Sequence, residues 1–137
     1  MRRTKIKEIR FFEPMYQTDI SYLVGGDVPQ LQQFIKERHG NAKMYSWGKR
    51  FKWGKKANTT NAYQFHVTAP LGKGEVFYVW IEEKTDYLMF HESFHLLGDI
   101  MYDRGVKYCS KSEEAFAYLG GYIYQEVNKL MKRKVRK

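Results

Sequence analysis

The chain predicts an α+β fold, with a mostly antiparallel sheet from its first half packed against two consecutive helices from its second. Three observations carry that reading. Runs of β-branched and aromatic residues fall between residues 5 and 82, most clearly Val76-Phe77-Tyr78-Val79-Trp80-Ile81. From Asp86 onward the apolar residues switch to a spacing of three and four, the period of a helix. A hydrophobic share of 43% with 17% aromatic residues belongs to a folded chain, not to a disordered basic tail. At 137 residues there is room for one domain, 1–137, with one modest core.

The elements follow in order. Lys5 to Glu13 has an apolar centre (Ile9, Phe11, Phe12) and stops at Pro14, which reads as a strand. Asp19 to Val24 is a second strand, ended by Gly25-Gly26. Asp27 caps a helix with Pro29 in its first turn, Leu31, Phe34 and Ile35 on its buried stripe, and Arg38-His39-Gly40-Asn41 at its end. Residues 62–69 alternate apolar and polar up to Pro70, a third strand. Leu71-Gly72-Lys73-Gly74 is the turn to the strand from Glu75 to Glu82, so these two form an antiparallel pair. That last strand is apolar on both faces and belongs inside the sheet, with helices covering at least one side.

The stretch from Asp86 to Tyr102 has apolar residues at 90, 94, 97 and 101 and again at 89, 96 and 100, which suits a helix ended by Arg104-Gly105. A second one begins at Ser110-Lys111-Ser112-Glu113, which has the form of a capping box. Ala115, Ala117, Gly120 and Gly121 keep it slim enough for close packing.

The first of these helices carries His91-Glu92-Ser93-Phe94-His95. Histidines four apart share one face, so both imidazoles can reach one ion, and Glu92 is within reach of a water on it. Polar side chains on the inner face of a mostly buried helix are costly unless satisfied, and an ion would satisfy them. A carboxylate from the second helix, Glu114 or failing that Glu113, would complete a site with one position open for water, the pattern of a catalytic zinc. Asp99, one turn beyond His95, either fixes a ligand imidazole by a hydrogen bond, is solvated, or pairs with Arg104.

His91-Glu92-Ser93-Phe94-His95, eighteen residues, then Glu114-Ala115-Phe116-Ala117 resembles the gluzincin metallopeptidases, a likeness covering about residues 86–126. The chain also looks like the small zincin-like proteins of bacteriophage and prophage genomes. The resemblance implies a small zincin-like domain in which an HExxH helix and a glutamate-bearing helix pack on the sheet. It implies His91, His95 and Glu114 as ligands of one zinc ion and Glu92 as general base and acid. The Gly-x-Met-Glu-Asn segment of the aminopeptidase branch is absent, so the spacing does not imply an aminopeptidase. The large members place a His or Tyr near the substrate carbonyl from a later domain. With 23 residues after Glu114, any such helper here is local, and Tyr118, Tyr122 and His66 are the candidates.

Net charge is +9, unevenly spread. Between Glu37 and Glu75 there is no acidic residue, while Lys49, Arg50 and Lys52 alternate with Trp47, Phe51 and Trp53. Such mixtures hold phosphates and stack on bases, so Lys49, Arg50, Lys52 and Trp53 are candidate nucleic-acid contacts. The plainer reading is a hairpin whose aromatic residues pack and whose lysines are solvated. The tail 129–137 is basic in six of nine positions, as suits the end of a last helix. The lone Cys109 cannot form an internal disulfide, the basic start lacks an apolar stretch, and no run of eighteen apolar residues occurs. The expectation is a cytoplasmic protein of the producing or host cell, without a membrane span.

Function then divides three ways. The leading expectation is a zinc-dependent hydrolase, a metallopeptidase acting on a peptide or protein. The alternative is a basic, phage-type nucleic-acid-associated protein with a zincin-like fold and no protease activity. In the third, zinc only holds two helices together.

Overall fold

Pro14 and Gly25-Gly26 punctuate the sheet where expected. In the computed structural model, which describes residues 5–53, 61–68 and 75–132, β1 (Lys7–Glu13) and β2 (Thr18–Val24) pair antiparallel, with Ile9 opposite Tyr22. Then comes α1 (Val28–His39). The Asp27 carboxylate accepts from the Gln30 N–H while the Gln30 side chain accepts from the Asp27 N–H, and Gly40 follows the last turn. The short strands β3 (Met44–Ser46) and β4 (Lys49–Arg50) precede β5 (Ala62–Thr68) and β6 (Glu75–Ile81). The last two elements are α2 (Asp86–Asp103) and α3 (Glu113–Lys132).

The six strands form one sheet in the order β1-β2-β6-β5-β3-β4. It is mixed: β2 and β6 run parallel, and every other neighbouring pair is antiparallel. The expected antiparallel pairing of β5 with β6 is present, with His66 opposite Phe77 and Thr68 opposite Glu75. The turn Leu71-Gly72-Lys73-Gly74 and the tail beyond Lys132 lie outside the described residues.

β6 lies between β2 and β5 and is buried from both sides. Tyr78 and Trp80 face α1, with Leu23, Phe65, Leu31 and Ile35. Phe77, Val79 and Ile81 face the two long helices, meeting Met89, Leu96 and Ile100 of α2 and Leu119, Ile123 and Val127 of α3. Fully burying one such side chain contributes about 1.5–3 kcal/mol, so this double apolar layer fixes α2 on the sheet. Among the described residues no helix is long and apolar enough to cross a membrane.

One local expectation changes. Ser110 and Glu113 do not form a capping box, because α3 starts only at Glu113. The Ser112 hydroxyl instead closes the preceding loop by donating to the Lys107 carbonyl, and the Ser112 carbonyl accepts the first helical bond from Phe116. Glu113 and Glu114 therefore sit in the first turn, where carboxylates complement the positive end of the helix dipole.

Candidate metal centre

Thr85 starts α2 by accepting from the Leu88 N–H, and that start sets the phase of all that follows. Met89, Leu96 and Ile100 turn to the sheet, so His91 and His95 fall on the outer stripe. Their Nε2 atoms lie 3.2 Å apart and their rings meet edge-on. Tyr87 stacks on His91 from the preceding turn. The His91 side chain is 45% exposed.

Glu92 sits beside this pair but faces inward and is only 8% exposed. Burial raises its pKa, and the His91 charge opposes the rise. Its Oε2 is 3.7 Å from His91 Nε2, and His91, Glu92 and His95 place one ligand atom each within 4.8 Å of one another. Burial and the His91 charge both lower the pKa of His95, favouring the neutral imidazole that can ligate a metal.

The turn between β3 and β4 holds the next stretch of the stripe. Trp47 and Gly48 both have positive φ, 54° and 75°, as a two-residue hairpin loop of mirror-image type requires. A bulky residue there costs about 1–2 kcal/mol, which docking offsets. The Trp47 N–H donates to Asp99 Oδ1 at 2.8 Å, and its indole N–H donates to the His95 carbonyl at 3.1 Å. Its ring occupies the space over Gly98, where an added Cβ would come within 1.7 Å of it. A glycine inside α2, unfavourable by about 1 kcal/mol against alanine, thus has a packing reason. The histidines occupy the part of the stripe just before this dock.

Comparison with protein-family models, with curated proteins and with solved structures finds no match to this chain. The site therefore rests on its own geometry.

Glu114 does not reach the histidines. α3 runs back along α2, with Tyr124 stacked on Phe90 and Gly120 against Leu97. Glu114 is ten residues from Tyr124, roughly 15 Å along the axis at 1.5 Å per residue, and it is exposed. Glu113 lies at the same far end. The expected third ligand is thus displaced by the antiparallel path of α3, and the carboxylate beside the imidazoles is that of Glu92.

The expected helpers also lie elsewhere. Tyr118 donates to Glu13 Oε2 at 2.9 Å and Tyr122 to the Phe12 carbonyl at 2.8 Å, so both tie α3 to β1. Asp99 bonds neither ligand imidazole and does not pair with Arg104. It is fully buried and accepts from Trp47, from Gln64 Nε2 at 2.7 Å and from His66 Nδ1 at 2.8 Å. Of the basic segment, Lys49, Arg50 and Lys52 are exposed. Trp53 packs edge-on against Phe51 and Tyr63, away from any stacking partner in solvent.

Two features were not anticipated. An apolar groove of about 280 Å³ runs between α2 and α3, lined by Phe90, Phe94, Leu97, Gly120, Ile123 and Tyr124. The second is a cluster of His66, Glu75 and Asp103 behind Asp99. Its members come from β5, β6 and α2, and only the i, i+4 step from Asp99 to Asp103 on one helix is visible in the sequence.

Proposed function

We propose that this chain is a zinc-dependent hydrolase, most plainly a metallopeptidase, with His91 and His95 holding the ion and Glu92 as general base. The separation of the two Nε2 atoms carries the reading. Two nitrogens at 2.0–2.1 Å from a tetrahedral zinc are about 3.3–3.4 Å apart, and here they are 3.2 Å apart before any ion is considered. Bound zinc would supply Lewis acidity and bring a water's pKa towards roughly 7.

Glu92 then takes the proton from the attacking water and returns it to the leaving amine. Its buried, raised pKa brings donor and acceptor states closer to neutral pH, as that double duty needs. The bond from the Trp47 indole N–H to the His95 carbonyl fixes the turn of α2 that bears His95. With two imidazoles from one helix, the remaining positions are left to water and substrate, and the affinity for zinc is lower than in a three-ligand site. The aromatic groove next to Phe94 suits an apolar side chain of an extended substrate. Exposure of the histidines on a single helix argues against an ion that merely ties α2 to α3.

Exposed Lys49, Arg50 and Lys52 favour the alternative of a nucleic-acid-associated protein without protease activity, although Trp53 is withdrawn from it. Binding to a duplex or single strand that falls steeply with salt, together with no hydrolysis of any peptide, would select that alternative.

Glu92→Gln decides the mechanism. It should retain zinc by elemental analysis and slow cleavage of a fluorogenic peptide library about 10²–10⁴-fold. Unchanged turnover would remove Glu92 as base, and loss of the ion would make Glu92 a ligand instead.

A further inference from the structure

We propose a second divalent-metal site, of the zinc class, formed by His66 Nε2, Glu75 Oε2 and Asp103 Oδ1. It clips the β5–β6 pair to the end of α2 and is independent of the chemistry at His91 and His95. The three ligand atoms lie within 4.8 Å of one another, and His66 Nε2 is 3.8 Å from each carboxylate oxygen.

Each ligand is oriented from behind. The His66 ring is 3% exposed, and its Nδ1 is taken by the fully buried Asp99. That bond leaves Nε2 as the ring's free position, aimed at the two carboxylates, with no hydrogen-bond partner among the described residues. Arg104 binds the other oxygen of each carboxylate, donating to Glu75 Oε1 at 2.6 Å and to Asp103 Oδ2. The oxygens left over are the two that face the imidazole. This is the outer-shell pattern of a metal site, a carboxylate behind the histidine and a donor behind each acid.

Charge points the same way. Asp99, Glu75 and Asp103 set three carboxylates around one guanidinium and the His66 ring, with Asp99 and His66 buried. A divalent ion, taking the place of a proton on His66 Nε2, offsets the excess of negative charge. Glu75 and Asp103 are partly exposed, which leaves an entry path. One nitrogen and two oxygens suit zinc or manganese, whereas calcium asks for six to eight oxygens.

The test uses the full chain, freed of metal and then equilibrated with zinc, with bound ion counted by elemental analysis. His91→Ala/His95→Ala should retain one zinc per chain, and adding Glu75→Gln and Asp103→Asn should weaken that remaining binding by at least about tenfold. No zinc in the His91→Ala/His95→Ala protein would overturn this site while leaving the hydrolase reading to its own Glu92→Gln test. Should the fourfold variant fail to fold, imidazole ¹⁵N spectra of the unaltered chain decide. Zinc should move the His66 Nε2 resonance into the range of a metal-bound nitrogen, and a His66 signal unmoved at saturating zinc refutes the site.

Discussion

The two halves of α2 carry similar side chains in opposite surroundings. Towards its start, His91 and His95 stand in solvent, touching each other, Tyr87 and little else, with Glu92 tucked in beside them. Towards its end, Asp99 is sealed off and satisfied three times over, and Asp103 shares Arg104 with Glu75. The open half is free to exchange ligands and can be altered at small structural cost. The closed half holds the sheet, the β3–β4 turn and the helix together. On the proposed reading catalysis needs access while architecture needs saturation, and one helix would supply both by turning different stretches to different neighbours.

Removing Asp99 should break the contrast most severely. Asp99→Ala leaves the Trp47 N–H, the Gln64 amide and the His66 ring without their buried acceptor. We expect a loss of about 3–5 kcal/mol in urea unfolding, the range for deleting one partner of a buried charged pair. A loss below about 1 kcal/mol would mean that water or relaxation replaces these bonds, and that the closed half is not closed.

The next prediction is a pH dependence. Burial pulls the His66 pKa down, but the hydrogen bond that its ring donates to Asp99 and the charges of Asp99, Glu75 and Asp103 outweigh it, and the net shift is upward from 6.5. A histidine with a raised folded pKa binds its proton more tightly when folded. Its stabilisation is therefore complete below pH 6.5 and is lost as pH rises through the folded value. In metal-free buffer, unfolding of the unaltered chain minus that of His66→Asn should show this decline above pH 6.5. A difference that is flat, or that grows with pH, contradicts the network drawn around His66.

Much of the frame was legible because its signals are local and periodic. Val76 to Ile81 is apolar on both faces, and a strand of that kind can only be central. The residues around His91 to His95 carry a helical period ended at Arg104-Gly105, and that end agrees with α2. β3 and β4 left no such trace, being three and two residues long and joined through a tryptophan at positive φ. Gly98 gives the contact with Trp47 no signal of its own in the sequence, because the ring above it comes from a distant turn. His66, Glu75 and Asp103 come from three elements, and nothing in their linear spacing announces that they meet.

Glu114 shows what spacing leaves out, and it supplies the smallest expected effect. In an antiparallel helical pair joined by a short loop, residues equally far from the loop lie level with each other. α2 ends at Asp103 and α3 begins at Glu113, so Glu114 lies near the last turn of α2, and the residues level with His91 and His95 are about Tyr124 and Gly120. Eighteen intervening residues bring a glutamate level with an HExxH pair only if the helical stretches on the two sides of the connection are about equal. Here α2 runs on for eight residues past His95, while Glu114 stands one residue past the start of α3. Glu114→Ala should therefore leave zinc content and turnover unchanged. It should cost at most about 0.3–1 kcal/mol, from the lost carboxylate at the start of α3. His91→Ala is the matched control. It should change stability by no more than about 0.5 kcal/mol, as an exposed residue does, and yet release the ion from this site. If Glu114→Ala instead strips the zinc as His91→Ala does, α3 packs on α2 in a different register, and the two halves of α2 are not separated in the way described.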